Sequence, residues 1–216
     1  MQFHLKFSLS SGAVHNNFLH NQKGMNASSF EETKRNLLQK LQGLDPKLSY
    51  HSVYHTLDVV KQAERIAIDE SITDLRSLYL LKLAALYHDS GFLFAYTGHE
   101  EKGCEIFVSD SVKLNLSENE IHMVTDLIMA TKLTNTPETA LQKIIRDADV
   151  DYLGRHDFFD IATLLKQELL SYHFIANEKE WNQQQETFLK NHQYYTRSSQ
   201  MLREPVKQEN LNFLLA

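Results

Sequence analysis

The sequence predicts an all-α protein, and three observations carry that expectation. Glycine (7) and proline (3) are scarce among 216 residues, which favours long helices over tight turns. Apolar residues recur at the three-to-four spacing of a helix, as in Val53, Leu57, Val60, Ala63 and Ala67. No alternating strand pattern of useful length occurs. The length suits a single domain with a substantial core, and about seven to nine helices are expected.

Residues 1–27 are poorly patterned and rich in Asn, Ser and His, so they read as a loosely attached segment or part of a partner contact. They lack an apolar core with a small-residue cleavage site, and no secretory leader is expected. Ser28-Ser-Phe-Glu31 resembles a capping box and should open a helix through Leu41, ended by Gly43 and Pro46. A second helix is expected from near Tyr50 to about Asp69. Leu75 to Tyr87 follows; from Leu78 onward its only charge is Lys82, so it should be buried on most sides. Gly91 is expected to let the backbone leave this helix. His99 to Leu114 makes a further helix. Ser117-Glu-Asn-Glu120 is a second capping box, starting a helix through about Lys132. Thr136-Pro137 reads as an N-cap with proline in the first helical position, launching a helix to about Tyr152. Phe158 to about His173 and Glu180 to Leu202 complete the set. Residues 28–175 are expected to form the ligand-bearing helical domain, and 176–216 a helical extension packed on it.

Composition excludes several classes. A net charge of −6 argues against a surface that coats nucleic acid. The lone Cys104 allows no internal disulfide, suits a reducing cytoplasm and is expected to pack as a small apolar residue. No run of about 18 apolar residues occurs to span a membrane.

The chemistry-bearing residues cluster. His88-Asp89 closes the most apolar helix, and burying an imidazole and a carboxylate there is unfavourable unless something replaces the lost water. A divalent cation would do so; a simple hydrogen-bonded pair at a helix end is the bland alternative. His51 and His55 are four apart, which on one helix face puts them about 6 Å apart at Cβ. Asp147, Asp149 and Asp151 alternate in an otherwise apolar helix. Alternate positions point about 200° apart, so Asp147 and Asp149 cannot both face one core. Asp149 is the expected inward carboxylate, and a solvated acidic face is the alternative reading of the three.

In the order His55, His88-Asp89, Asp149, the chain resembles the H…HD…D signature of the HD-domain metal-dependent phosphohydrolases. Tyr50-His51-x-x-x-His55-x-x-Asp58-Val59 is similar to a segment of cyclic-nucleotide phosphodiesterases, and Asp147-Ala-Asp149-Val-Asp-Tyr-Leu-Gly154 to the family's DADxLxxLG segment. The resemblance spans roughly residues 45 to 165. It implies an HD-type helical fold in which His55, His88, Asp89 and Asp149 bind metal and Asp89 bridges to a second ion. Gly98-His99-Glu-Glu-Lys-Gly103 resembles the segment that supplies a further ligand, His99. His122 reads as solvent-facing. Where members with full dinuclear sites carry histidine, this chain has Thr131-Lys132, and Lys132 is a candidate phosphate contact or a charge on the helix dipole.

The expectation is a metal-dependent phosphohydrolase or phosphodiesterase acting on a nucleotide or related phosphoester. One or two divalent ions (Mn, Fe, Co, Ni, Zn or Mg) would activate water, Asp89 would orient it, and His51 would protonate the leaving group. Glu100, Glu101 and Arg155 are not distinguished from solvated charges. The expected partner is a small phosphorylated substrate, with neither membrane nor nucleic acid involved; assembly into a homo-oligomer stays open. A di-iron oxygenase on the same fold, or a silent metal- or nucleotide-binding regulatory module, are the rival readings.

Overall fold

The computed structural model describes residues 29–215; among them are ten α-helices, two 3-10 turns and no strand, an all-α fold. The helices are α1 (29–41), α2 (Val53–Asp69), α3 (Leu75–Tyr87), α4 (His99–Ser111), α5 (Glu118–Met129), α6 (Ala140–Asp149), α7 (Phe158–Ser171), α8 (Glu178–Asn191), α9 (Arg197–Leu202) and α10 (Glu204–Leu215). Five of these helix starts (α3, α5, α6, α8 and α9) carry a side-chain cap. Short 3-10 turns at Ser90–Leu93 and Asp151–Gly154 follow α3 and α6. The expectations for residues 1–27 and for Ser28 as a cap lie outside the described residues.

The Ser117 capping box is present, with Ser117 accepting from Glu120 N and Glu120 accepting from Ser117 N. The next cap is not Thr136-Pro137 but Thr139, which forms its own capping box with Gln142. Glutamine three residues after a threonine satisfies two exposed N–H groups, and that reciprocity outweighs a proline signal. Helix α5 also stops at Met129, short of Lys132. The predicted 180–202 helix is broken between Asn191 and Arg197, and α10 adds one helix beyond the expected range. The break has a cause. Buried Asp147 accepts from Tyr195 N (2.9 Å), Thr196 N (2.8 Å) and Thr196 Oγ1 (2.6 Å), drawing those backbone groups away from helical partners.

Two apolar clusters make the core. The first surrounds α3, whose Leu81, Leu83, Ala84, Ala85 and Leu86 are fully buried, and joins α2, α4, α5 and α6. The second gathers Phe158, Trp181, Leu189, Tyr194 and Leu211 from α7, α8, α10 and the α8–α9 turn, with Tyr50 and Val150. The clusters meet where α6 ends and α2 is about to begin.

The alternating aspartates divide their labour at that seam. Asp151, 1 % exposed, accepts from Arg65 Nη2 (2.7 Å) and Arg203 Nε (2.9 Å), tying α2 to the C-terminal segment. The solvated acidic face is thus excluded for Asp147 and Asp151. Gly91 corrects another expectation. Its φ is not positive; a Cβ there would collide with the His99 carbonyl, so glycine is required for close approach of the 3-10 turn to α4. Among the described residues no helix is long and apolar enough to cross a membrane.

Candidate metal centre

Four side chains converge at the seam. His55 comes from the first turn of α2, His88 and Asp89 from the residues just after α3, and Asp149 from the last position of α6. His55 Nε2 lies 3.1 Å from Asp149 Oδ1, 3.3 Å from Asp89 Oδ2 and 3.3 Å from His88 Nε2. His88 Nε2 lies 3.1 Å from Asp89 Oδ2 and 3.4 Å from Asp149 Oδ1. Ligand atoms around a tetrahedral ion with bonds of about 2.0–2.1 Å stand about 3.3 Å apart, and these separations match that edge.

Proton inventory points the same way. His88 Nδ1 is 2.8 Å from the Ala85 carbonyl, which can only accept, so Nδ1 carries a proton and Nε2 is the atom turned on the cluster. His99 repeats the device, donating Nδ1–H to the Tyr96 carbonyl at 2.8 Å and facing Asp89 Oδ1 with Nε2 at 3.6 Å. Backbone carbonyls that orient imidazoles in this way are the usual outer support of ligating histidines. Asp89 Oδ2 is buried and, among the described residues, is met only by the His55 and His88 Nε2 atoms, neither in good hydrogen-bond alignment. Burial disfavours a charged His55, yet its bonds to Asp149 and Asp89 outweigh that and raise it to about 9. His88 is raised as well, burial again opposing and the Asp89 charge prevailing. The cluster draws positive charge, and the donor set of His55, His88 and Asp89 can hold a metal ion, with Asp149 Oδ1 3.1 Å from His55 Nε2 beside it.

His51 is not on the α2 face with His55. It precedes the N-cap Ser52, because Glu168 of α7 takes the Tyr50 and His51 backbone N–H groups (2.9 and 3.0 Å) on Oε2. Oε1 of the same carboxylate meets His51 Nδ1 and accepts from Tyr96 Oη at 2.8 Å. The two rings nonetheless stay close, with centroids 5.9 Å apart. Glu168 is held below the usual carboxylate range: burial pushes it up, but the His51 contact pulls it further down. Sequence reading missed this residue. The available signal was a lone carboxylate beside Leu165 and Leu169 on the apolar stripe of α7.

The centre opens into a cavity of about 590 Å³ that Asp89, Asp149, His51, His99 and Lys132 help to line. Lys132 sits just beyond α5 rather than within it, and its ammonium is paired with Glu101. Glu100 also reaches the cavity wall. His122 is exposed and lines no part of the cavity, as its reading as solvent-facing expects. Arg155 is structural, bound to Asp58 at 2.6 Å and Asp157 at 2.9 Å. Cys104 packs half-buried against the first core cluster. Comparison with protein-family models, with curated proteins and with solved structures finds no match.

Proposed function

We propose that the chain is a metal-dependent phosphohydrolase of HD type, cleaving a nucleotide or related phosphoester with a metal-activated water. The carrying observation is the convergence of His55, His88, Asp89 and Asp149, with Asp89 Oδ2 facing the Nε2 atoms of both His55 and His88, at the end of a cavity. A divalent ion held there supplies hydroxide near neutral pH and polarises a phosphoryl oxygen. Asp89, which faces both His55 and His99, would with His99 help to hold a second ion if one binds.

The chain's own groups supply the rest. Glu168 fixes a proton of His51 on Nδ1 and orients the ring, so that a proton on Nε2 is the one available to a departing alkoxide. The carboxylate itself keeps its charge and acts by orientation. Lys132 reaches a phosphoryl oxygen by exchanging its Glu101 partner for substrate. The pairing of a metal cluster with an oriented acid favours an ester whose leaving group needs a proton, as an alkyl phosphodiester does.

The test is metal analysis of the purified chain followed by assay of phosphomonoesters and phosphodiesters with Mn, Fe, Co, Ni, Zn and Mg. Metal-dependent release of phosphate or alcohol, lost in Asp89→Ala with the helical circular-dichroism signal retained, is the expected result. A metal-loaded chain that hydrolyses none of them, or an Asp89→Ala variant with full turnover, would refute the reading.

A further inference from the structure

The cavity beside the metal centre is unlike a site for a phosphate-rich ligand. Its far wall is built from the second core cluster: Val150, Leu153, Phe158, Trp181, Phe188 and Leu189. Interiors normally close up around apolar side chains, and about 590 Å³ lined this way is space that apolar ligand atoms would fill at the least cost. Charge narrows the choice. Among the described residues Lys132 is the one lysine or arginine on the lining, it is paired with Glu101, and three carboxylates (Asp89, Asp149 and Glu100) share the wall. A triphosphate chain would meet repulsion along most of its length, whereas one phosphate seated at the metal end would not. Gln185 adds a further mark. It lines the cavity, is 8 % exposed, and makes no side-chain hydrogen bond among the described residues. Its amide opens on the cavity, where it can meet a polar group of a ligand.

Resting on the hydrolase reading above, we propose that the substrate is a one-phosphate ester of a largely apolar alcohol, its body lying against the Trp181 wall and a single hydrogen-bonding group meeting Gln185. Selectivity then comes from burial of the apolar body, and the phosphate serves to place the ester at the metal end. Each methylene moved from water to this wall favours binding, so affinity should climb with the length of the apolar group.

Trp181 is the chain's one tryptophan and lines the cavity, so its emission reports occupancy whether or not any bond is cut. The full chain, loaded with Mn, is titrated with octyl phosphate below its micelle concentration, with glycerol 3-phosphate and with a nucleoside triphosphate, and products are analysed in parallel. Octyl phosphate should shift Trp181 emission and bind at least tenfold more tightly than either polar ligand. Leu165→Asn should weaken octyl phosphate at least fivefold while glycerol 3-phosphate and metal content stay unchanged. If that variant does not fold, Leu169→Phe, which fills the wall instead of wetting it, should produce the same selective loss. Equal or tighter binding of glycerol 3-phosphate or the triphosphate, or an octyl phosphate that leaves Trp181 unmoved, would overturn the proposal. Tight octyl phosphate binding with no hydrolysis under any metal would sink the hydrolase reading and leave the pocket assignment standing. Hydrolysis without apolar preference would do the reverse.

Discussion

At the scale of single residues, neighbouring carboxylates do different work, and the one away from the cluster, Asp147, is the more deeply buried. Asp149 faces His55 at 3.1 Å, whereas Asp147 points the other way and holds the Tyr195-Thr196 backbone. Asp149→Asn should therefore lose metal and activity with little loss of stability. Asp147→Asn should lower the unfolding midpoint, since a buried acceptor of several hydrogen bonds is weakened, while the folded fraction keeps its metal. Metal stoichiometry beside thermal unfolding separates the two, and the opposite pairing of effects would mean the roles are exchanged. The histidines divide in the same manner. His55→Ala should lose metal and rate together, as one direct ligand is gone. His51→Ala should stay metal-replete and slow an alkyl phosphodiester roughly 100- to 10,000-fold, with a much smaller loss on a nitrophenyl ester that needs no proton. Equal slowing of both esters, or loss of metal from His51→Ala, would remove His51 from the proton-transfer step.

At the scale of elements, the path of the chain from α3 to α4 decides whether the site forms. His88 and Asp89 leave α3, the Ser90–Leu93 turn carries Phe92, and Phe92 stacks on both His51 (4.2 Å) and His99 (4.0 Å). That turn fits against α4 only because Gly91 has no Cβ to meet the His99 carbonyl. Gly91→Ala should cost about 1–3 kcal/mol, the scale of overpacking, and should disturb His99 before His55, which lies on another helix. Chemical denaturation gives the first quantity and imidazole resonances the second. A variant as stable as the parent, with His99 unmoved, would show that the turn has slack. A similar contact holds the other 3-10 turn, where a Cβ on Gly154 would strike the Arg203 carbonyl ahead of α10.

At the scale of the whole molecule, buried polar groups tie the C-terminal helices to one another and, through Arg203–Asp151 (2.9 Å) and Asn210 to the Leu153 carbonyl (3.0 Å), to the rest. Lys207, 1 % exposed, donates to the His192 carbonyl at 2.6 Å and stands 3.4 Å from its Nδ1. Burial first, and then the Lys207 charge, depress His192 from 6.5 to about 4. The folded state thus keeps this imidazole neutral where the unfolded chain would protonate it. Its contribution to stability is complete above about pH 6.5 and is lost as pH falls toward 4. Thermal midpoints measured from pH 8 to pH 4 should decline through that window, and His192→Gln should decline less steeply. Parallel curves for the two proteins would assign the acid sensitivity elsewhere.

Much of this protein was legible before any coordinates. Helical periodicity and the shortage of glycine and proline determine the all-α class, because both act through local backbone and burial preferences. The alternation of Asp147 and Asp149 singled out the residue that meets His55, since helical phase is a property of the sequence. Caps are local too, and Ser117 was read correctly; Thr139 was overlooked in favour of a proline signal three residues earlier. Other features depend on groups far apart in the chain. His51 leaves the α2 helix because Glu168, 117 residues later, takes its backbone N–H. The helix predicted over 180–202 breaks because Asp147 competes for the Tyr195 and Thr196 amides. Gly91 matters for what approaches it, not for its own torsion. The cavity wall unites the α6 end with α7 and α8, elements that no spacing rule connects. A pattern of residues determines which chemistry a chain carries; only the tertiary structure decides which partners each group meets, because a buried polar group takes the best partner within reach, wherever in the chain it lies.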